Sequence, residues 1–177
     1  MAKFLVQENV IGAKPDETYR LGAGTGAANW LTDAEVGKFY KLGAESRYVA
    51  AAAGDYIEGW ITAIEKATAD NYTIGSVRRS GRMLVTFDGL QATPGTGTVA
   101  IGDYVVVGTV VAKDTALTAP ARVTVATLQP TAEVGAVADV KESILAAVFG
   151  WRVISLGAVG DGSVSSTGII ERIGATA

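Results

Sequence analysis

The feature that most constrains the fold of this chain is a succession of short β-branched runs, each closed by a turn containing glycine or aspartate. Clear examples are residues 72–79, 105–111 and 151–156. β-Branched and aromatic side chains favour strands, and turn signals every ~8–15 residues are typical of barrels and sandwiches. We predict a mainly β fold of about eight to ten strands with one or two short helices. It would form a single β-barrel or β-sandwich domain of jelly-roll-like form.

The domain organisation follows from a change of character near residue 30. Residues 1–30 contain little periodicity and include a stretch of glycine and alanine from Gly22 to Ala28. Such a stretch is flexible and buries little apolar area. We therefore predict an extended N-terminal arm over residues 1–30 and a β-rich domain over residues 31–177.

Leu31 to Leu42 is the best candidate for a short helix. Thr32 and Glu35 have the spacing of a capping box. Gly37 inside the segment opposes a helix by about 1 kcal/mol relative to alanine. The alternative is a single capped turn followed by a strand over residues 37–42.

Three further predictions concern neighbouring segments. Residues 72–79 and 82–87 flank Ser80-Gly81 and are expected to form a tight hairpin. A second hairpin is expected from residues 151–156 and 164–173. Apolar residues at helical spacing predict a helix over residues 132–149, with a strand over 144–148 as the competitor.

The tripeptide Gly-Asp-Tyr occurs twice, at residues 54–56 and 102–104. Each copy precedes a β-branched strand. One interpretation is an internal duplication of a β-unit, and the other is that Gly-Asp is simply a good turn before a strand. Gly108, within a β-branched run, indicates a bulge or a close approach of backbone.

The chain has no cysteine and no histidine among its 177 residues. This excludes thiol chemistry, Ser-His-Asp catalysis and zinc sites made of Cys and His. We predict no catalytic residues, no cofactor and no metal, and hence no enzyme. The net charge of −3 argues against nucleic acid and anionic membranes as partners.

Six residues are candidates for a partner interface. Arg78, Arg79 and Arg82 form the one dense basic cluster, which either contacts an anion or partner protein or is a solvated strand end. Aromatic residues anchor many interfaces, and Trp60 shares a predicted strand face with Tyr56. The aromatic candidates are Trp30, Tyr56 and Trp60, with core packing as the alternative; Trp151 is predicted to be core.

Several segments together resemble a known class of proteins. They are residues 31–38, 53–59, 72–77, 102–109, and the tail segments 150–157 and 167–172. In this order they resemble the head decoration, or capsid cement, proteins of tailed bacteriophages.

The resemblance implies a structural virion protein without catalytic residues. Such a protein would bind the outer surface of the capsid, bridge and stabilise major capsid proteins, and oligomerise, often as a trimer. The initial apolar run, from Phe4 to Val6, is too short for a secretion signal, so we expect synthesis in the host cytoplasm before assembly onto the virion. The alternatives are a tail- or fibre-associated adhesin that binds glycans, a small β-barrel enzyme of unknown chemistry, and a generic β-barrel scaffold.

Overall fold

The computed structural model describes residues 17–22, 30–65, 72–126, 150–157 and 162–172. These residues form a mainly β structure, as the sequence predicts. Two short 3-10 helices span Asp33–Glu35 and Ala44–Ser46. The eleven strands of the described ranges are β1 (Glu17–Leu21), β2 (Phe39–Leu42), β3 (Arg47–Ala50), β4 (Gly59–Glu65), β5 (Thr73–Arg78), β6 (Arg82–Leu90), β7 (Thr93–Pro94), β8 (Tyr104–Val107), β9 (Arg122–Val125), β10 (Trp151–Leu156) and β11 (Thr167–Arg172).

The first five strands form a closed barrel, which we call the first ring. Its strand order is β1-β3-β2-β4-β5, and β1 closes the barrel by pairing antiparallel with β5. The pairing of β1 with β3 is parallel, whereas the other neighbours are antiparallel. Closure removes exposed strand edges, which otherwise invite aggregation.

The remaining strands form a sheet in the order β11-β10-β8-β9-β6-β7. An additional antiparallel pairing of β11 with β6 closes five of these strands into a ring. We call β6, β8, β9, β10 and β11 the second ring. The two-residue β7 is a short extension that pairs only with the end of β6 among the described strands.

The two rings have the same topology. If β7 is left aside, the second ring runs first-third-second-fourth-fifth in chain order, just as the first ring does, and its first and third strands are again parallel. The bulges also correspond, because the register shifts between Ile61 and Ala63 in β4 and between Val153 and Ser155 in β10. The chain therefore contains one five-stranded unit twice.

The interiors of the rings correspond residue by residue. Strand register aligns five buried residues of the first ring with five of the second. The pairs are Leu21 with Phe87, Tyr40 with Val105, Tyr48 with Val123, Ile61 with Val153, and Val77 with Ile170. In each ring these side chains form the centre of a hydrophobic cluster. The alternation along each strand places one face inside the ring, as period-two patterning requires.

The outer face of the first ring packs against the second. Phe39 and Trp60 alternate with the inward residues of β2 and β4, and they belong to the hydrophobic cluster of the second ring. The Trp60 ring meets Trp151 edge to face, with centroids 5.3 Å apart. Trp151 Nε1 donates a hydrogen bond of 2.9 Å to the carbonyl of Ile57. One continuous apolar contact thus joins the rings.

Several sequence-based predictions need correction. Residues 17–21, which the sequence places in the N-terminal arm, form β1, which closes the first ring. The prediction of a hairpin around Ser80-Gly81 is wrong. β5 pairs with β1 and β4, whereas β6 pairs with strands of the second ring. The helix over residues 31–42 is also wrong, since only a single 3-10 turn precedes β2. The alternative of a turn followed by a strand describes this segment correctly, although the Thr32 side chain makes no cap hydrogen bond.

Other predictions are confirmed. The C-terminal hairpin exists as β10 and β11, and Trp151 is fully buried. A Cβ at Gly108 would lie 2.6 Å from Asp88 Oδ2, so the backbone does approach closely there. The predicted helix over residues 132–149 and the rest of the arm, residues 1–16 and 23–29, lie outside the described residues.

The Gly-Asp turns make similar hydrogen bonds without being the equivalent positions of the two rings. Register aligns Gly102-Asp103 with Gly37-Lys38, not with Gly54-Asp55. The amide of Gly102 donates to Val153 in the second ring, and that of Gly37 donates to Ile61 in the first. Gly54 instead donates across the rings to Val107. The two Gly-Asp-Tyr copies are therefore not duplicated positions, which agrees with the interpretation of Gly-Asp as a good turn, and the duplicated five-stranded unit follows another register.

Candidate functional site at the ring junction

The chain passes from the first ring to the second through residues 79–81. Four of the six residues predicted for an interface lie in or beside this connection. They are Trp60, Arg78, Arg79 and Arg82. Trp30 and Tyr56 are both half-buried, before β2 and before β4 respectively.

Trp60 lies in the core. Its side chain is 7% exposed, and Arg78 from the paired position on β5 covers it, with the guanidinium carbon 6.0 Å from the ring centroid. A cation over an indole face is attracted by the ring quadrupole. Trp60 therefore anchors an interface between the two rings of one chain, and a contact of its side chain with another protein stays a prediction.

Arg82 forms an ion pair with another residue of the second ring. Its Nε donates to Glu171 Oε1 at 3.1 Å, and the two residues are register partners on β6 and β11. The Arg82 side chain is 68% exposed in this pair. Exposed ion pairs contribute little to stability, so this pair is available for exchange with another anion.

Arg79 lies against the end of β11. Arg172 Nη1 donates a 2.6 Å hydrogen bond to the Arg79 carbonyl, and the Arg172 amide donates to the Gly81 carbonyl at 3.4 Å. Burial and the charge of Arg79 lower the pKa of Arg172, while Tyr48 and Glu58 act in the opposite direction. The two guanidinium groups are therefore close enough to repel each other.

The junction is strongly cationic. We define the arginine junction as the cationic residues Arg78, Arg79, Arg82, Arg152 and Arg172 with the anionic residues Glu58 and Glu171. These side chains leave three positive charges in a protein whose net charge is −3. Clustered charge of one sign attracts ligands of the other sign. The three arginines of the sequence cluster thus belong to a larger group of charged residues, and their contact with an anion or a partner protein stays a prediction.

A second polar cluster was missed by sequence reasoning. Glu35 is 1% exposed and accepts hydrogen bonds from Lys38 Nζ at 2.7 Å, from the Tyr40 hydroxyl at 2.7 Å and from the Asp114 amide. Lys38 Nζ also donates to the Ala112 carbonyl at 2.8 Å. We call Glu35, Lys38 and Tyr40 the carboxylate clamp. It ties the connection between β8 and β9 to the first ring.

The carboxylate clamp has the properties of a structural contact. Burial, together with the hydrogen bond and charge of Glu35, raises the pKa of Tyr40, so its hydroxyl remains a donor. Each carboxylate oxygen of Glu35 already accepts at least one hydrogen bond. The capping-box spacing of Thr32 and Glu35 was the only sequence signal here, and it pointed to a helix end.

A pocket of about 190 Å³ lies beside the clamp. Its walls are mostly apolar and come from both rings and the connection between β8 and β9. Phe39, Ala51, Val107 and Leu117 contribute to them. Glu35 and Lys38 of the clamp, together with Lys113 and Arg122, are the charged residues that line it.

The described part of the chain contains no group of three or more His, Cys, Asp or Glu residues placed to hold a metal ion. None of its helices is long and apolar enough to span a membrane. Comparisons with protein families, curated proteins and solved structures returned no match.

Proposed function

We propose that this chain is a non-catalytic structural protein of a tailed-phage virion, which binds the outer capsid surface and bridges major capsid proteins. The resemblance of its sequence to head decoration proteins suggests the class. The observation that carries the bridging role is the duplication of the five-stranded unit. A molecule that contains the same unit twice can contact two copies of a repeated partner.

The duplication includes an exposed apolar side chain at the same place in each ring. Val36 precedes Gly37 at the entry to β2, and Ile101 precedes Gly102 at the entry to β8. Val36 is 39% exposed and Ile101 is 66% exposed. Both glycines have positive φ, 86° and 99°, which holds each turn in the same shape.

Single exposed apolar residues are ordinary on protein surfaces. Their recurrence at equivalent turns is what distinguishes this pair. Two weak contacts carried by one molecule reinforce each other on a lattice, because binding of the second becomes intramolecular. We therefore assign Val36 and Ile101 to the capsid-binding surface.

The test uses capsids of the phage that encodes the chain, prepared without this protein. Cosedimentation is measured for the wild type, for Val36→Asp, for Ile101→Asp and for the double variant. We expect each single change to weaken binding about tenfold or more and the double change to abolish it, since avidity contributes factors of about 10² or more. Leu84→Asp, at an exposed residue of β6 outside these turns, is the control and should bind normally.

Two results would overturn the proposal. One is binding of the double variant as tightly as the wild type, because this result would show that Val36 and Ile101 do not form the capsid-binding surface. The other is absence of the chain from purified virions by mass spectrometry. The trimer that the resemblance implies is tested separately by light scattering of the purified protein, alone and after release from particles.

A further inference from the structure

The pocket beside the carboxylate clamp has the size and the lining of a site for a small molecule. Its volume is about 190 Å³, and an apolar protein cavity of about 150 Å³ is large enough to hold one benzene molecule. Its walls are mostly apolar. One lining residue, Val110, is 44% exposed, so the apolar lining extends to the protein surface. A ring with a short substituent can therefore enter from solvent and bury its apolar part.

The walls of the pocket are fixed by the fold itself. Phe39 and Val107 belong to the hydrophobic cluster that joins the two rings. Another part of the wall is the connection between β8 and β9, which the carboxylate clamp holds at the Ala112 carbonyl and at the Asp114 amide. Because a preorganised site loses little conformational entropy on binding, such a pocket can bind a small ligand without rearrangement.

Arg122 gives this apolar pocket a polar group that can recognise a ligand. It is one of the lining residues, and its side chain is 30% exposed. Its Nε donates to Asp88 Oδ1, and its Nη2 donates to the Ser165 hydroxyl at 3.3 Å. A guanidinium has five N–H donors, and the described part of the chain provides no acceptor for the other three. These three lie on Nη1 and Nη2, so Asp88 fixes the guanidinium while its far end stays available.

We propose that this pocket binds a small apolar monocarboxylate of about the size of benzoate. The ring or short chain of the ligand occupies the apolar space, and its carboxylate accepts two parallel hydrogen bonds from Nη1 and Nη2 of Arg122. A guanidinium and a carboxylate match in this way because both are planar. Burial of the apolar part of the ligand supplies the rest of the affinity.

The acidic residues near the pocket favour a ligand that carries a single charge. Glu35 lines the pocket as a buried carboxylate paired with Lys38. Asp88 accepts hydrogen bonds from Arg122 and from the Thr109 amide. A phosphate monoester carries almost two negative charges at neutral pH, so both carboxylates would repel it more strongly than a monocarboxylate. The inference stands apart from the proposed capsid role, because its test needs no virus particles.

The experiment follows the backbone amide resonances of residues 107–117 in nitrogen–proton correlation spectra of the full-length protein. The probe is benzoate. Its controls are benzamide, which has the same shape without the charge, and acetate, which has the charge without the ring. We expect saturable shifts with benzoate. Benzamide should bind about tenfold more weakly, because charge-assisted hydrogen bonds are the stronger ones, and acetate should bind at least about tenfold more weakly, because it buries little apolar surface.

Two substitutions of Arg122 test the role assigned to its side chain. Arg122→Gln should weaken benzoate binding about tenfold and leave benzamide binding nearly unchanged. Arg122→Lys, which keeps the charge but loses the planar fork, should fall between Arg122→Gln and the wild type. Arg82→Gln is the matched control, because Arg82 Nε also donates to a carboxylate on a neighbouring strand but Arg82 does not line the pocket. This variant should bind benzoate as the wild type does.

Four outcomes would overturn the inference. They are no saturable shift with benzoate, benzamide binding as tight as benzoate binding, acetate binding as tight as benzoate binding, and equal losses in Arg122→Gln and Arg82→Gln. The first shows that the pocket takes no such ligand, the second that the charge is not recognised, the third that no apolar part is buried, and the fourth that Arg122 has no specific role. If Arg122→Gln fails to fold, the Arg122→Lys variant and the three wild-type titrations still decide.

Discussion

The two rings share strand order, register and bulge, yet their side chains differ at the positions where the rings meet. In the first ring the outward row across β2 and β4 is Phe39 and Trp60, and it packs into the hydrophobic cluster of the second ring. Register places Tyr104 and Arg152 at the same positions of β8 and β10. Both are half-buried and neither belongs to that cluster. The residues at this one pair of cross-strand positions therefore determine which ring packs its outer face against the other.

The interiors show a related difference. Tyr40 and Tyr48 of the first ring correspond to the smaller Val105 and Val123 of the second, whereas Leu21 and Val77 correspond to the larger Phe87 and Ile170. The cluster of the second ring includes Trp151 and, from the first ring, Trp60. The cluster of the first ring contains only residues of that ring and of the segment before β2, whereas the cluster of the second ring is completed by residues of its neighbour. The same topology thus serves both a self-sufficient core and a shared one.

The largest effect is expected at the aromatic contact between the rings. Trp151→Ala should lower the free energy of unfolding by about 3–5 kcal/mol, because the side chain is fully buried and the cavity cannot collapse completely. Trp60→Ala should be nearly as costly. A double-mutant cycle should give a coupling of about 0.5–1.5 kcal/mol for the edge-to-face pair. The measurement is urea denaturation followed by circular dichroism.

Trp30→Ala, at a half-buried tryptophan outside the two clusters, should cost clearly less than either of these changes. If the Trp60 and Trp151 effects were simply additive, the rings would not be coupled through these two side chains. Another contact would then have to couple the core of the first ring to that of the second.

The carboxylate clamp gives the next effect, and it has no counterpart in the second ring. Register places Ala100, Asp103 and Val105 where the first ring has Glu35, Lys38 and Tyr40. Glu35→Gln should cost about 3 kcal/mol, because it leaves the buried Lys38 ammonium without its counter-charge. Amide hydrogen exchange should rise in residues 109–114, which the clamp holds.

Asp103→Asn is the matched control in the equivalent turn of the second ring. Asp103 is half-buried, and its carboxylate accepts a hydrogen bond from the Ala100 amide. We expect a loss below about 1 kcal/mol there and unchanged exchange in residues 109–114. Equal losses for the two variants would show that the clamp adds nothing beyond an ordinary turn.

The smallest effect tests the equivalence of the rings directly. A Cβ at Gly75 would lie 2.5 Å from the Ala63 carbonyl oxygen, and a Cβ at Gly168 would lie 2.5 Å from that of Ser155. Gly75→Ala and Gly168→Ala should therefore each cost about 1–3 kcal/mol through overpacking. Thermal unfolding of the two variants should give similar losses, and a large loss in only one of them would contradict the duplicated geometry.

Local patterns predicted the strands better than their partners. The predicted runs identified β5, β6, β10 and β11 closely, because strand propensity and alternation are properties of neighbouring residues. The hairpin around Ser80-Gly81 failed, since a short turn between two strands is compatible with pairing and also with a crossing into another ring. β1 was missed because residues 17–21 are a single short strand beside a glycine-rich stretch.

The candidate site was predictable in part for the same reason. Arg78, Arg79 and Arg82 are close in sequence and could be recognised as a basic cluster. Arg172 and Glu171 join them only because β11 pairs with β6, some 90 residues away along the chain. The interior location of Trp60 follows from the packing of one ring on the other, and no spacing within β4 reveals it.

The sequence by itself determined a mainly β protein with short strands, glycine turns and no histidine or cysteine chemistry, because these features depend on residue type and on spacing over a few positions. Tertiary structure alone decided that the strands close into two equivalent rings, that one ring covers the other, and that the arginines meet where the chain crosses between them. Those outcomes depend on pairings between distant segments. Similar local patterns permit many such pairings, and only the combined burial of both cores selects one.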